Sequence, residues 1–136
     1  MTLPKYFFIL VLFLFAGCKE EFPTYEQFCT TSEKTLPACL RYDVFDAQDK
    51  VRLVQVFGKE EMPSCPYHVV LTRYHVGECN NPAVKSRGSD FNGYVRVEIK
   101  KGFKCYYKVQ SDYKEDISHA FENVLQRISK TFSPPK

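Results

Sequence analysis

No apolar run in this chain is long enough to span a bilayer as a helix, which takes about 20 residues; Tyr6–Phe15 stops well short. No two cysteines stand at Cys-x-x-Cys spacing, which argues against a thioredoxin-like enzyme or covalent haem attachment. There is no Gly-x-Ser-x-Gly, no His-Glu-x-x-His and no phosphate-binding glycine loop. Without a catalytic signature, an enzyme is not the favoured reading. No short window forms a basic run, and the net charge is only +3, so composition gives no reason to invoke nucleic acid.

What is present begins at the amino terminus. Lys5 precedes an apolar and aromatic run, Tyr6–Phe15, and the small residues Ala16-Gly17 follow. That order is the build of a secretory signal. Cys18 comes directly after Gly17, and the charged Lys19-Glu20-Glu21 come next. Phe15-Ala16-Gly17-Cys18 resembles the lipobox of bacterial lipoproteins, Leu-(Ala/Ser)-(Gly/Ala)-Cys, with Phe15 where leucine is commonest. The resemblance covers residues 1–18. It implies that Cys18 receives diacylglycerol and palmitate-type acyl chains, and that the signal is cut just before it. A plain secretory signal and an uncleaved anchor are the alternatives. Two or three acyl chains would anchor the chain stably where one would be marginal. Lys19 rather than aspartate after the cysteine favours the outer membrane over the inner in enteric bacteria.

The domains expected are therefore a signal peptide at 1–17, the lipidated cysteine with a short tether at 18–24, and one periplasmic globular domain at 25–136. The tether reaches about 20 Å at roughly 3.3–3.6 Å per residue, so the domain would sit close to its membrane. Six cysteines suggest three disulfides, but a lipidated Cys18 leaves an odd set: Cys29, Cys39, Cys65, Cys79 and Cys105. Exported proteins meet oxidising conditions, so two disulfides and one leftover thiol are expected. Short loop closure favours Cys29–Cys39 and then Cys65–Cys79, with Cys79–Cys105 in competition. Spacing alone does not decide among them.

Along the mature chain, Tyr25–Thr30 is read as a helical turn or two. Leu40–Phe45 alternates as a strand, and Ala47-Gln48-Asp49 as a turn. Val51–Phe57 is apolar on both parities, as in a central strand. Tyr67–Val76 is a long strand. Asn80–Gly93, dense in Asn, Gly, Ser and Pro, is the longest irregular segment. Tyr94–Ile99 and Phe103–Val109 then read as a hairpin. A three-residue loop, Lys100-Lys101-Gly102, would pair Ile99 with Phe103, Val97 with Cys105 and Val95 with Tyr107, turning Cys105 toward the core. Gly102 would supply the left-handed residue such loops need.

Asp112 and Glu115 read as a capping box. They precede a helix ending near Phe132, before Pro134-Pro135. Ile117, Ala120, Phe121, Val124, Leu125 and Ile128 make one apolar stripe. Burying its five larger side chains is worth about 1.5–3 kcal/mol each. The fold expected is α+β: an antiparallel sheet of four to five strands with one long C-terminal amphipathic helix packed on one face. A small barrel flanked by the helix is the runner-up.

Two constellations invite chemistry. Cys65-x2-His68 and His75-x3-Cys79 hold zinc-ligand types, but the spacing is a poor match to zinc fingers and the two histidines have opposite strand parity. No metal or cofactor is assigned. The second is the outer hairpin face, where the three-residue loop would set Tyr94 against Lys108 and Arg96 against Tyr106. Tyr94, Arg96, Tyr106 and Lys108 are the candidate binding face, a tyrosine-and-cation platform for an anionic or glycan-like ligand. The function expected is a non-catalytic, lipid-anchored periplasmic accessory lipoprotein that contacts the membrane through Cys18 and binds another envelope protein. The alternatives are a binding module or inhibitor acting on a soluble target through Asn80–Gly93, and a metal- or thiol-dependent enzyme.

Overall fold

The structure, a computed structural model, describes residues 23–30, 34–75 and 91–133. Five strands and two helices follow in the order β1 (Thr24–Phe28), β2 (Arg41–Asp43), α1 (Ala47–Phe57), β3 (Tyr67–His75), β4 (Gly93–Lys101), β5 (Lys104–Tyr113) and α2 (Ile117–Phe132). They form one sheet in the order β1-β5-β4-β3-β2. The fold is α+β, with α2 across the sheet as the sequence predicts. The sheet is mostly antiparallel, but β2 runs parallel to β3. Parallel neighbours need a crossover connection, and α1 lies within it.

That crossover overturns the strand expected at Val51–Phe57. The segment is helical because both of its ends are capped. The Asp46 carboxylate accepts from the backbone N–H groups of Gln48 and Asp49, both at 2.9 Å. Gly58 closes the helix in the left-handed region at φ 64°, and its N–H donates to the Val54 carbonyl. Ala47-Gln48-Asp49 is thus the first helical turn rather than a loop. Leu53 and Phe57, one turn apart, enter the core, whereas Val51 is 55% exposed. Apolar residues on both parities fit a helix with two apolar sides as well as a buried strand. Tyr25–Thr30 is likewise not helical. β1 takes in Thr24, which the sequence reading assigns to a tether, and pairs antiparallel with β5.

The hairpin also differs in detail. Its turn is two residues, Gly102-Phe103, between the paired Lys101 and Lys104. Gly102 at φ 61° occupies the first central position, the place where glycine favours a type II′ turn. A bulge then shifts the register between Ile99 and Lys100, so Ile99 faces Tyr107, Val97 faces Val109 and Val95 faces Ser111. The expected set of core residues survives except at the tip. Phe103 is fully exposed, and Cys105 pairs with Lys100 instead of Val97. The helix cap moves too. Asp112 stays in β5, its N–H donating to the Pro23 carbonyl, and Asp116 caps α2 through Ser118 N and His119 N at 2.9 and 3.2 Å.

The core lies between the sheet and both helices. Val69, Val95, Val97, Ile99, Tyr107 and Val109 face Ala120, Phe121, Val124, Leu125 and Ile128, with Leu53 and Phe57 closing one side. Phe121 ties three elements together. The guanidinium groups of Arg52 and Arg73 sit 5.0 and 4.9 Å from its ring centre, from α1 and β3. Arg52 is held by Glu122 and Arg73 by Asp49. At the other end of α2, the Glu26 carboxylate accepts from Tyr107 at 2.7 Å and from Thr131. Burial, reinforced by that carboxylate, pushes the Tyr107 hydroxyl above the ordinary phenol range.

The disulfides are Cys29–Cys105 and Cys39–Cys65, not the two short-loop pairs the spacing favoured. Sheet pairing decides this. β1 lies against β5, which brings Cys29 beside the start of β5, with its N–H donating to the Tyr106 carbonyl. The β2–β3 pairing likewise brings the segment before β2 to the segment before β3. Cys79 and residues 80–90 of the irregular segment lie outside the described residues.

Two measurements test this architecture. Leu53→Ala is expected to cost about 2–5 kcal/mol in urea unfolding, whereas Val51→Ala changes stability by less than about 0.5 kcal/mol. Equal costs would contradict the helix. Removing the Cys39–Cys65 bridge by double alanine substitution is expected to cost about 2–4 kcal/mol. Non-reducing peptide mapping that linked Cys29 to Cys39 would contradict the pairing.

Candidate functional site

Strand alternation sends one set of side chains to the core and the other to the opposite face. Both helices lie on the core side, and among the described elements none packs on the other. The register arranges that open face in rows. Tyr74, Tyr94 and Asp112 form one, and Thr72, Arg96, Gln110 and Tyr25 the next. A third holds Asp43, Val70, Glu98, Lys108 and Gln27.

Arg96 is the best-held cation of the face. Its guanidinium lies 4.7 Å from the centre of the Tyr94 ring, and Tyr94 stacks on Tyr74 with centroids 5.2 Å apart. Its Nε and Nη2 donate to Gln110 Oε1 at 2.9 and 2.6 Å. Gln110 is oriented in turn by donating from Nε2 to Asp112 at 2.8 Å. This chain positions the guanidinium without neutralising it. Among the described residues, neither Arg96 nor Lys108 has a carboxylate within 4.0 Å, because Glu98, opposite Lys108 in the register, is paired with Lys100 at 3.5 Å. Beside them a shallow groove of about 430 Å³ is lined by Tyr25, Glu26, Gln27, Arg96, Lys108 and Gln110. Tyr25 is 59% exposed at its rim.

The four face residues predicted from the sequence therefore separate. Tyr94, Arg96 and Lys108 share the open face. Tyr106 sits at the hairpin bulge, where its hydroxyl donates to the Thr35 carbonyl at 2.6 Å and its ring meets Tyr67 edge-on. The position of the turn and the bulge together explain the separation: the turn at Gly102-Phe103 shifts the expected register by three residues and the bulge by one more, so the partner of Arg96 is Gln110 and not Tyr106. Sequence reasoning missed Tyr25, Tyr74 and Gln110. The signal for Tyr25 was its parity with Gln27 in Thr24–Phe28, which a helical reading of that segment conceals.

The metal-ligand types are dispersed. Cys65 is bonded to Cys39. His68 lies on the open face between Asp43, 2.7 Å from Nδ1, and the Gly102 carbonyl, 3.0 Å from Nε2. His75 is on the core side, its Nδ1 2.9 Å from the Tyr113 hydroxyl. Among the described residues, no three His, Cys, Asp or Glu side chains converge as a metal site. Cys18, where the sequence leads one to expect lipidation, lies outside the described residues.

At the β2 edge, Arg41 donates two hydrogen bonds to Asp43, both at 3.0 Å. This pairing, with a smaller contribution from His68, holds the Asp43 carboxyl below the usual carboxylate range. Its stabilising contribution is thus complete above about pH 4 and fades as pH falls through the lowered native value. The stability gap between wild type and Asp43→Asn in urea unfolding is expected to narrow below about pH 4. A gap unchanged into strong acid would contradict the ion pair. No family model, curated protein or solved structure matches this chain, so its function is read from the geometry of its own residues.

Proposed function

We propose that this chain is a non-catalytic, lipid-anchored lipoprotein of the periplasmic side of the envelope, at the outer membrane, whose uncovered sheet face binds another envelope protein. One observation carries the binding reading: among the described residues the face keeps two cations without carboxylate partners, and one of them is held over a tyrosine stack. An ordinary solvated face leaves long cationic side chains free, because ordering them costs side-chain entropy. Here Tyr94 and Gln110 hold Arg96 before any partner arrives, which lowers the cost of binding.

The anchoring reading rests on Phe15-Ala16-Gly17-Cys18 after an apolar run. The two disulfides support an oxidising compartment. A partner presenting carboxylate or phosphate groups suits the face, since guanidinium pairs with both in bidentate geometry.

Cys18→Ser is expected to abolish metabolic lipid labelling and to move the protein out of the membrane fraction; unchanged labelling would sink the anchor. In-cell photocrosslinking from position 25 is expected to capture an envelope partner. Arg96→Ala with Lys108→Ala should lower that capture by about tenfold, the loss of one or two charge-assisted contacts. Tyr106→Phe should leave it unchanged. Capture that ignores the double substitution would place the partner elsewhere.

A further inference from the structure

The tip of the β4–β5 hairpin sets an exposed aromatic residue among lysines. Lys100-Lys101-Gly102-Phe103-Lys104 turns with Phe103 at its apex, fully exposed at 106%. Glu98 pairs with Lys100, and Asp43 is taken up by Arg41 and His68. Lys101 and Lys104 therefore keep their charge without a carboxylate partner among the described residues, and they lie opposite one another across the turn. Lys101 is steadied over the Tyr67 ring at 5.3 Å. The apex itself is braced, because the Gly102 carbonyl meets His68 Nε2 at 3.0 Å. Below it opens a depression of about 530 Å³, lined by Lys101, Lys104, Tyr67, Tyr106, Leu36 and Pro37 among others.

We propose that this tip is a contact for an anionic phospholipid surface, with Phe103 entering the acyl boundary and Lys101 and Lys104 meeting phosphate groups at the mouth of the depression. The shape favours a bilayer over a protein groove. A lone aromatic on a convex apex with a cation on either side suits a deformable interface, where the ring enters the apolar boundary and the cations stay among anionic headgroups. Amphipathic lysine stems suit that depth, since they lie along apolar surface while the ammonium stays at headgroup level. Such a contact is weak alone and effective when the chain is already held at the membrane, because the second contact is then intramolecular. It is separate from the Arg96 face and does not depend on it.

The chain has no tryptophan, so a single indole reports on the tip. The full chain carrying Phe103→Trp is reconstituted into vesicles with and without phosphatidylglycerol. The same is done for Phe45→Trp, at a second fully exposed phenylalanine flanked by Asp43 and Asp46 instead of lysines. With anionic lipid, the Phe103→Trp emission should move to the blue and be quenched by nitroxide-labelled lipid. The Phe45→Trp emission should stay solvent-like. Adding Lys101→Glu and Lys104→Glu should cut lipid quenching of the Phe103→Trp indole about tenfold or more. Unaltered near-ultraviolet circular dichroism would show that the fold is kept. Equal emission from the two positions, or loss of the native spectrum in Phe103→Trp itself, would overturn the proposal. An equal blue shift with soluble polyglutamate in place of vesicles would assign the tip to an acidic protein instead.

Discussion

The structure depends on α2 lying across β4 and β5. Ala120, Phe121, Val124, Leu125 and Ile128 meet Val95, Val97, Ile99, Tyr107 and Val109, all buried. At about 25 cal/mol for each Å² of apolar surface removed from water, this contact outweighs local preferences in the segments around it. Asp112 illustrates the point. Its sequence context suits a helix cap, yet pairing with Tyr94 of β4 and a hydrogen bond to the Pro23 carbonyl keep it in the sheet, and the helix begins after Asp116.

Because both helices cover the same side, the other face of the sheet is left to solvent or to a partner. The helix side is fastened at its margins by charge. Arg52 and Arg73 bracket Phe121 and are tied to Glu122 and Asp49. Arg96 on the open face is positioned by an aromatic ring and an amide rather than a carboxylate. The difference matters, because a guanidinium without a counter-ion keeps its charge available. The hairpin tip stands apart from both, since among the described residues its Lys101 and Lys104 have no carboxylate partner.

Much of this was legible in the residues. The α2 stripe, the β4 and β5 alternation and the α+β class follow from periods of 3.6 and 2, which depend only on where side chains point along one element. The same rule placed Tyr94, Arg96 and Lys108 on one face. It could not place Tyr106, because the turn begins two residues further on than expected and the bulge leaves Tyr106 as its extra, unpaired residue. Val51–Phe57 was misread for another reason. Val51 and Val54 give the helix apolar residues outside its buried Leu53–Phe57 stripe, and the period is blurred.

By itself, then, the sequence determined most of the main strands, the long helix and the inward set of the hairpin away from its tip. These are local properties of order and spacing. The tertiary structure alone decided that β2 runs parallel to β3, that Cys29 meets Cys105 and Cys39 meets Cys65, and that Tyr25 and Gln110 join Arg96. Each of those joins residues far apart in the chain. Which distant segments meet is settled by the collective burial of one sheet face under α2, and no single segment carries that information.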